Sequence, residues 1–190
     1  MSTLCVNDAE LVEEARRGDA SAFGELVERH RAAVFRTALV ACGSRQDAED
    51  VAQDTFIVAW RSLDRFRGDA QFKTWVLAIA WKRALTRRRS VWNRLRRLGD
   101  RPDSGFEPAV KSPGVEERLI GTDFADCVAR LVRTLPVKLR DPLLLVSTGE
   151  WTYAEMAVAL KVSEGTLKWR VMEARRRLKQ KLAGLGYEVR

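Results

Sequence analysis

Between Trp92 and Glu117 the chain carries Pro102, Asp103, Ser104, Gly105, Pro108, Ser112, Pro113 and Gly114, and no apolar periodicity runs through them. A stretch of that composition presents no continuous apolar face to a core. It reads as a tether and limits what can fold on either side of it. Residues 1–91 and 118–190 are left as two small domains, with 92–117 as the linker. In both halves the apolar residues recur every three or four positions and no strand-like alternation persists. The expected fold class is therefore all-α: two small helical domains joined by a flexible linker.

Charge divides the chain further. Residues 1–60 hold 6 basic and 11 acidic side chains, residues 61–101 hold 13 and 3, residues 102–150 hold 6 and 8, and residues 151–190 hold 9 and 4. Two basic blocks set among acidic ones suggest two separate contacts with a polyanion, one in each half. No apolar run reaches the roughly 20 residues of a membrane span, and the first ten residues lack the basic-then-apolar order of a signal peptide. The cysteines Cys5, Cys42 and Cys127 stand far apart with no CxxC, which points to a reducing, cytoplasmic setting rather than a disulfide framework. A single histidine, His30, argues against zinc fingers and most histidine-based catalysis. Its polar neighbours Glu28, Arg29 and Arg31 predict a surface position.

In the first half, Asn7 or Asp8 caps a helix carrying Leu11, Val12 and Ala15 that ends at Gly18. A second helix starts near Ala20 with Phe23, Leu26, Val27, Val34, Phe35 and Leu39 as its buried stripe. A third, Gln46–Ser62, turns Ala48, Val51, Ala52, Thr55, Phe56 and Ala59 inward. Its opposite face gathers Asp47, Asp50, Gln53 and Asp54 at helical spacing. Asp47 and Glu49 complement the helix dipole at the first turn, but Asp54 lies too far along for that. Carboxylates along one helix without a second ligand cluster make a poor metal site. A docking face for a basic partner fits them better. After the loop 64–70 a fourth helix runs from about Gln71 to Trp92. Phe72, Trp75, Val76, Ile79 and Ala80 keep core spacing there, among Lys73, Trp81, Lys82, Arg83, Arg87, Arg88 and Arg89. Aromatics interleaved with cations suit a single-stranded nucleic acid, whose bases stack and whose phosphates need positive charge. Phe72 and Trp75 also suit a core.

The second half contains a helix-turn-helix. Thr152 and Glu155 form a capping box opening a helix Tyr153–Leu160, with Met156, Ala157 and Leu160 inward. Lys161, Val162 and Ser163 make the turn, with Ser163 capping a second helix from Glu164. Leu167, Val171, Ala174 and Leu178 are the inner face of that helix. Thr166, Lys168, Trp169, Arg170, Arg175, Arg176 and Lys179 form a basic outer face of a length that enters a major groove. A helix over 123–134 carries Cys127, read as packing.

DAEDVAQDTFIVAW (Asp47–Trp60) followed by LDRFRGDAQFKTWVLAIA (Leu63–Ala80) resembles the first conserved domain of the extracytoplasmic-function sigma factors, the short members of the bacterial sigma-70 family. LPVKLRDPLLL (Leu135–Leu145) with WTYAEMAVALKVSEGTLKWRVMEARRRLKQKL (Trp151–Leu182) is similar to their second domain. The two motifs stand in the family's order and cover most of the chain outside the linker. The resemblance implies an alternative sigma factor, not an enzyme, that directs core RNA polymerase to promoters and needs no cofactor or metal. By matching position, Asp50, Gln53 and Asp54 would dock on the β′ clamp helices of core RNA polymerase. The loop Asp64–Phe72 would hold a base flipped from the minus-ten element. Arg65, Arg67, Phe72, Lys73, Trp81, Lys82, Arg83 and Arg87 would meet the melted strand. Thr166, Lys168, Trp169, Arg170, Arg175 and Arg176 would read the minus-thirty-five element of promoter DNA as duplex. An anti-sigma factor is the further partner implied.

The chain departs from the family at Lys82 and Thr86, where Asn and Asp are common, and at Trp169, where a small residue is common. The turn carries Lys161 where Gly is usual, at a steric cost of about 1 kcal/mol if that residue is left-handed. Rival readings are a stand-alone helix-turn-helix regulator, a metal-dependent nuclease on Asp47, Asp50 and Asp54, and a basic protein of anionic membranes.

Overall fold

The computed structural model describes residues 6–97 and 119–187, in two compact units divided between Arg89 and Ser90. Among the described residues there are eight α-helices and no strand. Cys5 and most of the proposed linker lie outside the described residues.

The first unit is built from α1 (Asp8–Arg16), α2 (Ala20–Cys42), α3 (Arg45–Arg61), a short 3-10 turn (Leu63–Arg65) and α4 (Phe72–Arg97) as far as Arg89. Asn7 rather than Asp8 caps α1. Its Oδ1 accepts from Glu10 N at 2.9 Å while Asn7 N donates to Glu10 Oε2 at 3.1 Å, a reciprocal box that satisfies two otherwise orphaned groups. Asp19 caps α2, which ends at Gly43. The left-handed φ of 72° there suits glycine, and its N–H closes on Leu39 O at 2.7 Å. The core is made of Leu26, Val34 and Ala38 from α2, Ala48 and Ala59 from α3, and Val76 and Ala80 from α4, all fully buried. The small residues among them let helix backbones approach closely. Cys42 sits in this core, where burial pushes its thiol up to about 11.

Two expectations change here. His30 is buried, not on the surface: its Nε2 lies 2.6 Å from Asp8 Oδ2 and its ring stands 5.6 Å from that of Phe72. His30 continues the Phe23, Leu26, Val27 stripe at helical spacing, and the neighbouring Glu28, Arg29 and Arg31 face the other way. The second difference is the end of α4, which reaches Arg97, five residues past Trp92. No Gly or Pro interrupts it before Gly99.

The second unit contains α5 (Leu119–Arg133), α6 (Val137–Thr148), α7 (Tyr153–Leu160) and α8 (Glu164–Gly184). Leu135, Leu139 and Ala174 form a buried cluster with Leu143 and Leu178 packed against it. Leu145, Met156, Leu167 and Val171 are also buried, so α6, α7 and α8 share one core, and Cys127 on α5 is buried as well. The Thr152–Glu155 box is present, with Glu155 N donating to Thr152 Oγ1 at 3.2 Å and Thr152 N to Glu155 Oε2 at 2.7 Å. Lys161 ends α7 at φ 55°, ψ 50°, the one non-glycine with positive φ among the described residues. Ser163 then caps α8, its Oγ accepting from Thr166 N at 3.2 Å.

Candidate nucleic-acid and protein interfaces

Ser44 starts α3 by accepting from Asp47 N at 3.4 Å, and the helix phase follows from there. Ala48, Val51, Thr55 and Ala59 bury, while Asp50, Gln53 and Asp54 are exposed. The exposed stripe continues into Ile57 and Trp60, apolar side chains that the reading of the acids left unassigned. Their positions, four and seven residues after Gln53, were the available signal. Trp60 is steadied by the Phe23 ring at 4.8 Å.

The basic helix α4 does not stand apart from this acidic face. Arg83 Nη2 donates to Asp54 Oδ2 at 2.7 Å. Arg87 Nε donates to Asp47 Oδ1 at 2.7 Å, and its Nη2 to Asp50 Oδ2 at 3.3 Å. The hydrogen bond to Asp47 raises the Arg87 guanidinium above its ordinary value. Lys82, Arg65 and Arg67 are exposed and pair with no described carboxylate; Lys73 is half-buried.

Phe72 and Trp81 of the nucleic-acid set lie in the interior of the first unit. Both are 3% exposed, and Phe72 nevertheless lines the cleft described below. Phe72 packs among Phe66, Trp75 and His30, with its centroid 6.0 Å from Phe66 and 5.7 Å from Trp75. Trp81 continues a second buried stripe, Leu77, Trp81 and Ala84. With Phe72, Val76 and Ala80 buried along one stripe and Leu77, Trp81 and Ala84 along another, the charged residues of α4 are confined to what remains.

Beside Phe72 lies a cleft of about 680 Å³ lined by Asn7, Asp8 and Val12 of the α1 end and by Phe66 and residues 68–72 of the loop. No Lys or Arg lines it. Phosphate would find no cation there, whereas a neutral ring would find an aromatic floor and polar edges. The loop is anchored from α1: Arg16 Nε donates to Leu63 O at 3.3 Å, and Arg16 Nη2 donates to Phe66 O. The contribution of α1 to this cleft was not read from the sequence, because nothing local links Asn7 and Asp8 to a loop sixty residues on.

In the second unit, Thr166, Lys168, Trp169 and Arg175 are exposed on α8 and Arg170 is half-buried. Lys168 pairs with Glu164 at 3.5 Å and stands 5.8 Å from the Tyr153 ring centroid. Arg170 and Arg175 pair with no described carboxylate. Arg176 is engaged within its own helix. Glu173 accepts from Arg176 Nε at 2.7 Å and Nη2 at 2.8 Å, and from Arg177 Nε at 2.7 Å. These bonds hold the Glu173 carboxyl down to about 2. Val158, Trp169 and Met172 add exposed apolar surface. Among the described residues no three His, Cys, Asp or Glu side chains gather as a metal site, and no helix is long and apolar enough to cross a membrane.

Comparison with known proteins shows the family. The description Sigma-70 region 2 fits residues 26–94 and Sigma-70, region 4 fits residues 125–178. The chain is 31% identical to the ECF RNA polymerase sigma-E factor of Escherichia coli (strain K12), over 95% of this chain and 96% of that one. It is 32% identical to the RNA polymerase sigma factor NccH of Alcaligenes xylosoxydans xylosoxydans, over 90% and 92% of the two chains. Among solved structures it resembles CnrH, seen in complex with the cytosolic domain of CnrY. That likeness has 26% identity and a TM-score of 0.65, covering 93% of this chain and 97% of that one. The sigma factor RpoE of Bartonella quintana, in complex with the anti-sigma factor NepR, shares the fold at 23% identity and a TM-score of 0.65, over 85% and 96% of the two chains.

Proposed function

The chain belongs to the extracytoplasmic-function group of the sigma-70 family, and on that premise we propose a division of its labour between residues 1–91 and residues 118–190, tethered by 92–117. It is an alternative sigma factor, and its own work is binding; the nucleotidyl transfer belongs to the polymerase. The exposed Asp50, Gln53 and Asp54 dock on the β′ clamp helices of core RNA polymerase in the cytoplasm. The cleft between α1 and the loop 66–72 takes a base flipped from the minus-ten element, while Arg65, Arg67, Lys73, Lys82, Arg83 and Arg87 face the phosphates of the melted strand. On α8, Thr166, Lys168, Trp169, Arg170 and Arg175 read the minus-thirty-five element in the major groove, with Arg176 toward the backbone.

The observation that carries this reading is the contrast between the two nucleic-acid surfaces. One is a cation-free cleft with an aromatic floor, in a loop whose exposed Arg65 and Arg67 pair with no described carboxylate. The other is a capped, 21-residue basic helix. An unstacked base suits the first and duplex suits the second. Each good base contact discriminates by about 1–3 kcal/mol, so neither short element suffices alone. Tethering through one polymerase raises the effective concentration of the second contact.

Control by an anti-sigma factor is part of the proposal. Solved relatives are bound to the cytosolic domain of CnrY and to the anti-sigma factor NepR, and an inhibitor of that kind would cover the polymerase-docking faces. The test is co-elution of the purified protein with core RNA polymerase on size exclusion, in competition with a housekeeping sigma factor. Competitive co-elution is expected. Tight operator binding without polymerase, and no co-elution, would make the chain a stand-alone regulator instead.

A further inference from the structure

Arg83 and Arg87 belong to two sets at once: they stand among the cations proposed for the melted strand, and they hold the acids proposed for polymerase. Resting on that reading, we propose that the acidic face of α3 keeps Arg83 and Arg87 from nucleic acid until a cationic partner takes Asp50 and Asp54. Polymerase docking and strand capture are thereby coupled through shared ion pairs.

The pairing is selective. Arg83 meets Asp54 across 29 positions of sequence, and Arg87 meets Asp47 and Asp50 across 40 and 37. On the same helix Lys82 and Arg89 pair with no described carboxylate, and neither do Arg65 and Arg67 in the loop. Proximity of basic to acidic segments therefore does not account for the pattern; the facing sides of α3 and α4 do. Asp47 has a distinct part. Its side chain is only 16% exposed, against 55% and 56% for Asp50 and Asp54, so it is poorly placed to meet a partner. It is a positioning residue that orients Arg87 from below while Asp50 can be given up. At Arg83 nothing substitutes for Asp54, so withdrawal of that one carboxylate frees the guanidinium outright.

The energetics set the scale. Exposed ion pairs contribute about 0.2–1 kcal/mol each, which corresponds to a factor of up to about five in an affinity. The coupling is reciprocal: a strand that takes Arg83 must favour polymerase at Asp54 by the same factor as polymerase favours the strand.

The experiment measures binding of a fluorescent single-stranded oligonucleotide to the full-length protein without polymerase, at low ionic strength. Asp54→Asn is expected to tighten binding about two- to fivefold, and Asp50→Asn, which leaves Arg87 on Asp47, by less than Asp54→Asn. Glu14→Gln removes the same charge from α1, where the Glu14 side chain pairs with no described residue, and should change binding by less than half that factor. In an Arg83→Ala background the gain from Asp54→Asn should vanish, as a double-mutant cycle requires for direct coupling. Equal gains from Glu14→Gln and Asp54→Asn would overturn the proposal, as would an additive cycle or no measurable binding by any variant. Circular dichroism of each variant confirms the helices. Failure of the polymerase assignment itself appears elsewhere, as loss of co-elution with core enzyme while the oligonucleotide results stand.

Discussion

His30 Nε2 lies 2.6 Å from Asp8 Oδ2, tying the middle of α2 to the first residue of α1. The same Asp8 accepts from Arg29 Nη1 at 3.0 Å and lines the cleft beside the loop. Replacing His30 by Ala removes the bond and leaves a gap against Phe72, at a cost of about 1–3 kcal/mol. At roughly 4–8 °C per kcal/mol for a domain of this size, thermal unfolding followed by circular dichroism should report the loss. An unchanged midpoint would show that the contact contributes nothing.

Lys161 occupies a left-handed position at φ 55°. Lys161→Gly removes the Cβ strain while adding freedom to the unfolded chain, for a net gain of about 0.5–1 kcal/mol. Urea unfolding should move to a higher midpoint with an unchanged slope.

Glu173 gives the second unit a dependence on acid. Its carboxyl is held down to about 2 from an ordinary 4.5 by Arg176 and Arg177. A depressed carboxyl stabilises the fold above the unfolded value and loses that contribution as pH falls through the folded one. Melting temperature should therefore drop between about pH 4.5 and pH 2. Glu173→Gln should flatten the profile across that window, a comparison best made on paired melts of the two proteins.

The two halves should fail separately. Asp54→Arg sets a second guanidinium opposite Arg83 and should weaken core-polymerase binding about tenfold or more, by analogy with like charges placed at an interface. Arg170→Ala should leave that binding intact and weaken recognition of minus-thirty-five duplex by about 1–3 kcal/mol. Equal loss of polymerase binding in both variants would contradict the separation.

What sequence reveals about this fold is what local physics decides. The Thr152–Glu155 box, the Ser163 cap and the phase of α3 depend on residues three or four apart, and the structure has them as read. The choice of Asn7 over Asp8 as cap turned on which of them stands three residues before Glu10. The burial of His30 and Trp81 is hard to read for one reason: charged neighbours in sequence mask their membership of buried stripes, which only helix phase exposes. The Arg83 and Arg87 ion pairs were illegible because they depend on how α3 and α4 face one another across 29 to 40 residues. A linear charge count points only to two basic blocks and two separate contacts with a polyanion, and says nothing of how the first of them meets the acids of α3.

Arg16 holds the loop by the carbonyl oxygens of Leu63 and Phe66, with its guanidinium 6.0 Å from the Phe66 ring centroid, and by none of the side chains of Asp64, Arg65 and Arg67. The path of that segment is thus fixed by main chain, while Asp64, Arg65 and Arg67 project into solvent. Shape and identity are separable there. A descendant of this chain could exchange those three side chains, and with them the bases it prefers, without having to solve again how the segment folds.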